Sequence, residues 1–150
     1  MHGWMKRNLR HWINLWPPFL ATGIRVTRWD ADSRAVDVEL RPHFWSMNYV
    51  GTHYGGSLYS MVDPFYMLML IANLGREYIV WDKAATIRFR RATKECVKAE
   101  FRITEPQLDD IRQSLTMQEK VEPVLTVDVR DSAGVVAEVE KVIYIRRKPV

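Results

Sequence analysis

Residues 57–74 read SLYSMVDPFYMLMLIANL, an apolar run interrupted by one charge, Asp63. The run approaches the length of a membrane crossing, but Asp63, Pro64 and Asn73 fall inside it, and an unpaired carboxylate in lipid is expensive. The expectation is a buried helix that ends near Gly75, a residue suited to a helix C-terminus. A helix that is apolar on nearly every side must be covered on every side. One antiparallel sheet curling around it covers much of that surface, and dimerisation hides the remainder.

Asp63 is the only charged residue between His53 and Arg76. A carboxylate in such surroundings is costly unless it is paired, hydrogen-bonded or near solvent. Two readings stay open. Asp-Pro suits an N-cap followed by the first helical residue, so that Asp63 merely starts a helix at Pro64. If the helix begins near Gly55, Pro64 lies inside it and kinks it.

The rest of the chain supplies the sheet. Gly23 to Asp30 and Arg34 to Leu40 alternate in polarity, with Asp32-Ser33 turning between them, and predict a hairpin. A loop over residues 43–56 leads into the apolar helix. Ala85, Ile87 and Phe89 alternate with Thr86, Arg88 and Arg90, and Val97, Ala99, Phe101 and Ile103 with Lys98, Glu100 and Arg102, which predicts two half-buried strands. Residues 106–118, opened by Pro106, read as a short helix or an irregular crossover. Leu125 to Arg130 and Val135 to Arg146 form a second hairpin around the turn Asp131 to Gly134. The fold class is α+β, with about six antiparallel strands around a long central helix.

Near the start, Trp4, Met5, Leu9, Trp12, Ile13 and Trp16 share one helical stripe, and Pro17-Pro18 stops the helix. Residues 1–18 are therefore an amphipathic N-terminal helix and 19–150 the core of a single domain. Packing on the domain or a dimer mate is the plainer use of that helix, and weak contact of residues 4–16 with a membrane surface the sharper one. Asn14 and the two prolines break the apolar stretch after Lys6, Arg7 and Arg10, which argues against a secretory signal. The net charge of +4 is spread along the chain and singles out no anionic partner. Cys96 is the only cysteine, so no internal disulfide forms and a reducing compartment, the cytoplasm by default, fits best. No metal spacing, no G-x-S-x-G elbow and no phosphate loop occurs.

The segment Asn48-Tyr49-Val50-Gly51-Thr52-His53-Tyr54-Gly55-Gly56, followed by six residues and Asp63, resembles the signature of hotdog-fold acyl-CoA thioesterases of the phenylacetyl-CoA type. Asn48, both glycines and Asp63 fall in its register. The wider run from His43 to Leu74 also looks like a branch of that superfamily described as tetrameric acyl-CoA thioesterases. The resemblance implies a hotdog fold, a homodimer or a tetramer built from dimers, and hydrolysis of an acyl-CoA to free acid and CoA. It makes Asp63 the general base or nucleophile, the backbone N–H of Gly55 an oxyanion donor, and Asn48 a holder of the acyl carbonyl or water. Gly56 then allows close approach of substrate. No cofactor is implied.

The sequence departs from that pattern at two places. Tyr54 stands where the family has His, and His53 is displaced by one residue. The hydroxyl expected on the following strand has Thr86 as its nearest equivalent, while Asp82 or Lys83 occupies the approximate position. Arg88 and Arg90, on one face of a strand, are candidates for the phosphates of coenzyme A, against the plainer reading of a solvated sheet face. Aromatic residues are not interleaved with these arginines, which argues against nucleic acid. Met61, Met67 and Met69 suit an adaptable acyl tunnel or ordinary core filling. The alternative function is a non-catalytic hotdog module that binds acyl-CoA or fatty acyl groups.

Overall fold

The computed structural model describes residues 12–149. Most of the predicted N-terminal stripe, residues 4–11, lies outside the described residues. Of its remainder, Trp12 and Trp16 are exposed, and Ile13 packs against the core. Pro17-Pro18 was expected to stop that helix. The described helical turn does end before them, at Ile13, and the two prolines occupy the first turn of a new helix, α1 (Pro17–Thr22), where a missing N–H costs nothing. Gly23 ends α1 with φ +85°, and a Cβ there would lie 2.6 Å from the carbonyl oxygen of Arg41.

The first predicted hairpin is β1 (Ile24–Trp29) and β2 (Ala35–Leu40), antiparallel and turned at Ser33, which has φ 57°. The apolar segment forms α2 (Gly55–Ser60) and α3 (Phe65–Leu74). Both open readings of Asp63 meet their answer here. Helix begins at Gly55, and Pro64, having no N–H to donate, interrupts it. The chain keeps helical dihedrals through Met61 and Pro64, so the two pieces remain one central segment. No side chain caps the start of α3, so Asp63 is free of a capping role.

The remaining elements are β3 (Tyr78–Phe89), β4 (Val97–Arg102), α4 (Glu105–Met117), β5 (Lys120–Val121), β6 (Val124–Asp131) and β7 (Gly134–Arg147). They complete a seven-stranded antiparallel sheet of order β1-β2-β4-β6-β7-β3, with the two-residue β5 paired to β7. The sheet wraps the central helical segment. Phe65 is fully buried, its ring 5.0 Å from that of Phe101 and 6.0 Å from that of Phe19. Burying a side chain of that size contributes roughly 1.5–3 kcal/mol. Met61 and Met69 are equally buried and fill the core rather than an open tunnel.

Strand β3 departs from expectation. Ala85, Thr86, Arg88 and Phe89 are all exposed and only Ile87 is partly covered, so alternation does not produce one buried face. The reason is position: β3 is the last strand of the sheet, paired on one side only, and two open clefts lie along its C-terminal half.

Candidate functional site

Asp63 lies at the interruption between α2 and α3, where the chain has lost a helical hydrogen bond but not its direction. Opposite it, strand β7 alternates inward residues Val139, Lys141, Ile143 and Ile145, which places a lysine in a row of core positions. The Lys141 side chain is fully buried. Its Nζ lies 3.2 Å from Oδ1 of Asp63, 3.2 Å from Oδ1 of Asp82 and 3.3 Å from the hydroxyl of Tyr59, which it also overlies at 5.1 Å from the ring centre. Asp63 and Tyr59 accept hydrogen bonds from the ammonium. The Asp82 oxygen is off the hydrogen-bonding direction and interacts as an ion pair.

A β-bulge brings Asp82 inward. The register of β3 on β7 shifts between Asp82 and Ala84, so that Asp82 faces Ile143 and Ala85 faces Lys141. Burial pushes the Asp82 carboxyl above its ordinary range; Lys141 opposes that shift and Asp63 adds to it. Burial pulls Lys141 down, but Asp82 and then Asp63 outweigh it and leave the ammonium more strongly held than usual. Burial likewise raises the Tyr59 phenol. Tyr59, Asp63 and Asp82 border an open cleft of about 510 Å³, lined also by Lys83, Ala84, Ala85 and Ile87, with Lys141 buried behind them. Asp63 presents a side chain 48% exposed to it, and Asp82 one 20% exposed. A half-exposed carboxylate anchored on a buried cation has the chemistry of a general base or nucleophile.

The other signature residues sit apart from Asp63. Asn48 and Gly55 line a second cleft, of about 310 Å³, with Thr52, His53, Leu58, Phe89 and Arg90. Within one chain the two clefts are separate, and both lie against the C-terminal half of β3. The Asn48 amide is spent on its own loop: Nδ2 donates to Thr52 Oγ1 at 2.9 Å and to the His53 carbonyl at 3.3 Å, and Oδ1 accepts from the N–H groups of Val50 and Thr52. His53 is buried, its Nε2 2.7 Å from the carbonyl oxygen of Glu95. Tyr54 is exposed, and its ring lies over Gly56, where a Cβ would come within 2.3 Å of it. A Cβ on Gly55 would approach Phe89 to 3.1 Å.

Thr86, Arg88 and Arg90 are not brought to Asp63. Thr86 pairs in register with Glu140, on the sheet face opposite Lys141. Arg88 bonds Glu140 at 2.9 Å and Arg90 bonds Glu138 at 2.7 Å, so both guanidinium groups expected to await phosphate are committed to cross-strand carboxylates. Cys96 is half-buried and its thiol is raised by burial, the behaviour of a structural residue. A cleft of about 800 Å³ over β4 and β6 is rimmed by exposed charges such as Lys98, Glu100 and Arg130, with Arg130 already paired to Asp128 at 2.6 Å. Lys141 and Tyr59 are the residues that sequence reasoning passed over. The signal for Lys141 was a lysine at an inward position of an otherwise apolar alternating strand.

The fold is the hotdog fold, shared with several solved structures. A Pseudomonas aeruginosa protein of unknown function, described as a probable thioesterase, is similar over 99% of this chain and 97% of its own, with a TM-score of 0.80 and 20% identity. A Haemophilus influenzae thioesterase matches with TM-score 0.66 and 11% identity, over 94% of this chain and 90% of that one. The Escherichia coli PaaI protein from the phenylacetic acid degradation operon matches with TM-score 0.65 and 17% identity, over 98% and 94%. The chain belongs to the family described as a domain of unknown function, DUF4442, whose model matches residues 6–145. No curated protein matches it by sequence.

Proposed function

We propose that this protein hydrolyses an acyl-CoA thioester, with Asp63 as the base. The observation that carries the reading is the half-exposed Asp63 carboxylate fixed by the buried Lys141 at the edge of an open cleft. Asp63 takes a proton from water as the oxygen adds to the thioester carbonyl carbon, and the developing oxyanion is received by the backbone N–H of Gly55. Collapse breaks the C–S bond, and the departing thiolate recovers the proton from Asp63. A thiolate is a good leaving group, so no strong acid is required.

Asp63 and Gly55 lie in separate clefts of one chain, both against the open edge strand β3. A homodimer formed along β3 joins the Asp63 cleft of one protomer to the Gly55 cleft of the other, and a tetramer follows by pairing dimers. Asn48 then serves by holding the loop before Gly55 in shape. One domain working in the cytoplasm completes the proposal. No described helix is long and apolar enough to cross a membrane.

Supplying short, medium and aryl acyl-CoAs and following free thiol tests the reading. Asp63→Ala and Asp63→Asn are expected to lower kcat by about 10²-fold or more. Full activity in either variant, or no thiol release from any substrate with the wild type, overturns it. A second reading, acyl-CoA binding without turnover, draws support from the committed Asn48 amide and the outward Thr86. Saturable acyl-CoA affinity in a protein that releases no thiol decides for it.

A further inference from the structure

We infer that Asp82 and Lys141 are positioning residues that govern the proton exchange of Asp63, Asp82 being the standing counter-ion of the buried ammonium. This rests on the reading of Asp63 as the base. Two carboxylates share one Nζ, each at 3.2 Å, but they are not equivalent: Asp63 is 48% exposed and Asp82 only 20%. Both border the cleft, Asp63 more openly; Asp63 accepts a hydrogen bond from the ammonium, and Asp82 holds it as an ion pair. The bulge between Asp82 and Ala84 lies where the Asp82 carboxylate comes within ion-pair distance of Lys141.

The arrangement matters during turnover. When Asp63 takes a proton from water its charge vanishes, and a lone ammonium in the core would then be left unpaired, a state that burial penalises heavily. With Asp82 in place the ammonium keeps a partner, so protonating Asp63 strands nothing. The titratable and charged groups facing Asp63 are Tyr59 from α2, Lys141 from β7, and Asp82 and Lys83 from β3. Lys83 is neutralised by Glu122 at 2.8 Å, which leaves Asp82 and Lys141 as the charges that set the local balance.

The two residues therefore act in opposite senses. Asp82→Asn removes a repelling charge and leaves the ammonium wholly to Asp63. Its acid limb in the pH profile of kcat/KM is expected to move down by about one pH unit, with a plateau lowered roughly three- to tenfold because the base is weaker. Lys141→Met removes the attraction and leaves the repulsion, moving the limb up by about one unit. A purely structural role predicts lower activity with the limb unmoved, and that result in both variants overturns the inference. Carboxyl carbon-13 NMR titration of Asp63 in the wild type and in near-isosteric Asp82→Asn supplies a reading independent of turnover: a downward midpoint shift supports the pair, and an unchanged midpoint removes it. If Asp63→Asn stays active, the reading of Asp63 as the base fails while the titration still judges the pair. If Asp63→Asn is inactive and neither limb moves, only the pair is lost.

Discussion

Asp131, at the end of β6, has a side chain only 1% exposed and accepts from the Arg91 guanidinium and from the backbone N–H of Ala133. Arg91 is the largest influence holding its carboxyl down to about 2, with Thr93 and Ala133 helping. A carboxyl depressed in the folded state stabilises above its unfolded value of 3.8 and loses that contribution as pH falls toward about 2. Asp131→Asn is therefore expected to flatten the fall of the urea midpoint across that window, and equal slopes in variant and wild type would refute the assignment. The site's own residues follow the same logic of pairing. Asp63 stood out in the sequence because nothing around it carried charge, yet the group that accommodates it, Lys141, lies 78 residues away among apolar neighbours on the inward face of β7.

At the scale of elements, α4 resolves an open expectation. Thr104 and Gln107 form a reciprocal capping box: Thr104 Oγ1 accepts from the Gln107 N–H at 3.3 Å and Gln107 Oε1 from the Thr104 N–H at 2.8 Å. The T-x-x-Q spacing was visible ahead of the Leu108 and Ile111 stripe, so the choice between helix and crossover was legible. Thr104→Ala is expected to cost about 1 kcal/mol in urea unfolding, and no loss would mean the box is idle. The central segment shows the reverse case. Proline at position 64 announced a break, but whether the break ended a helix or divided one depended on the core holding Met61, Val62 and Phe65 in line.

At the scale of the whole molecule, β3 is an edge with exposed Phe89 and partly covered Ile87, and natural edges of this length are usually protected. The dimer proposed along it gives a direct expectation. The wild type is expected to sediment as a dimer or a tetramer, and Phe89→Glu is expected to shift it toward monomer with loss of the proposed thioesterase activity. A wild type that sediments as a monomer, or a variant of unchanged size, removes that interface.

Local periodicity was enough to determine the central apolar helix, both hairpins, the alternation of β4 and the singularity of Asp63, because those depend on neighbours a few residues apart. The tertiary structure alone decided which face of β3 looks inward, that Arg88 and Arg90 are taken by Glu140 and Glu138, and that Lys141 and Asp82 meet Asp63. These follow from strand register and one bulge. A shift of a single residue in pairing exchanges the two faces of a strand, and nothing in the spacing of β3 taken alone places the bulge that sets its register on β7.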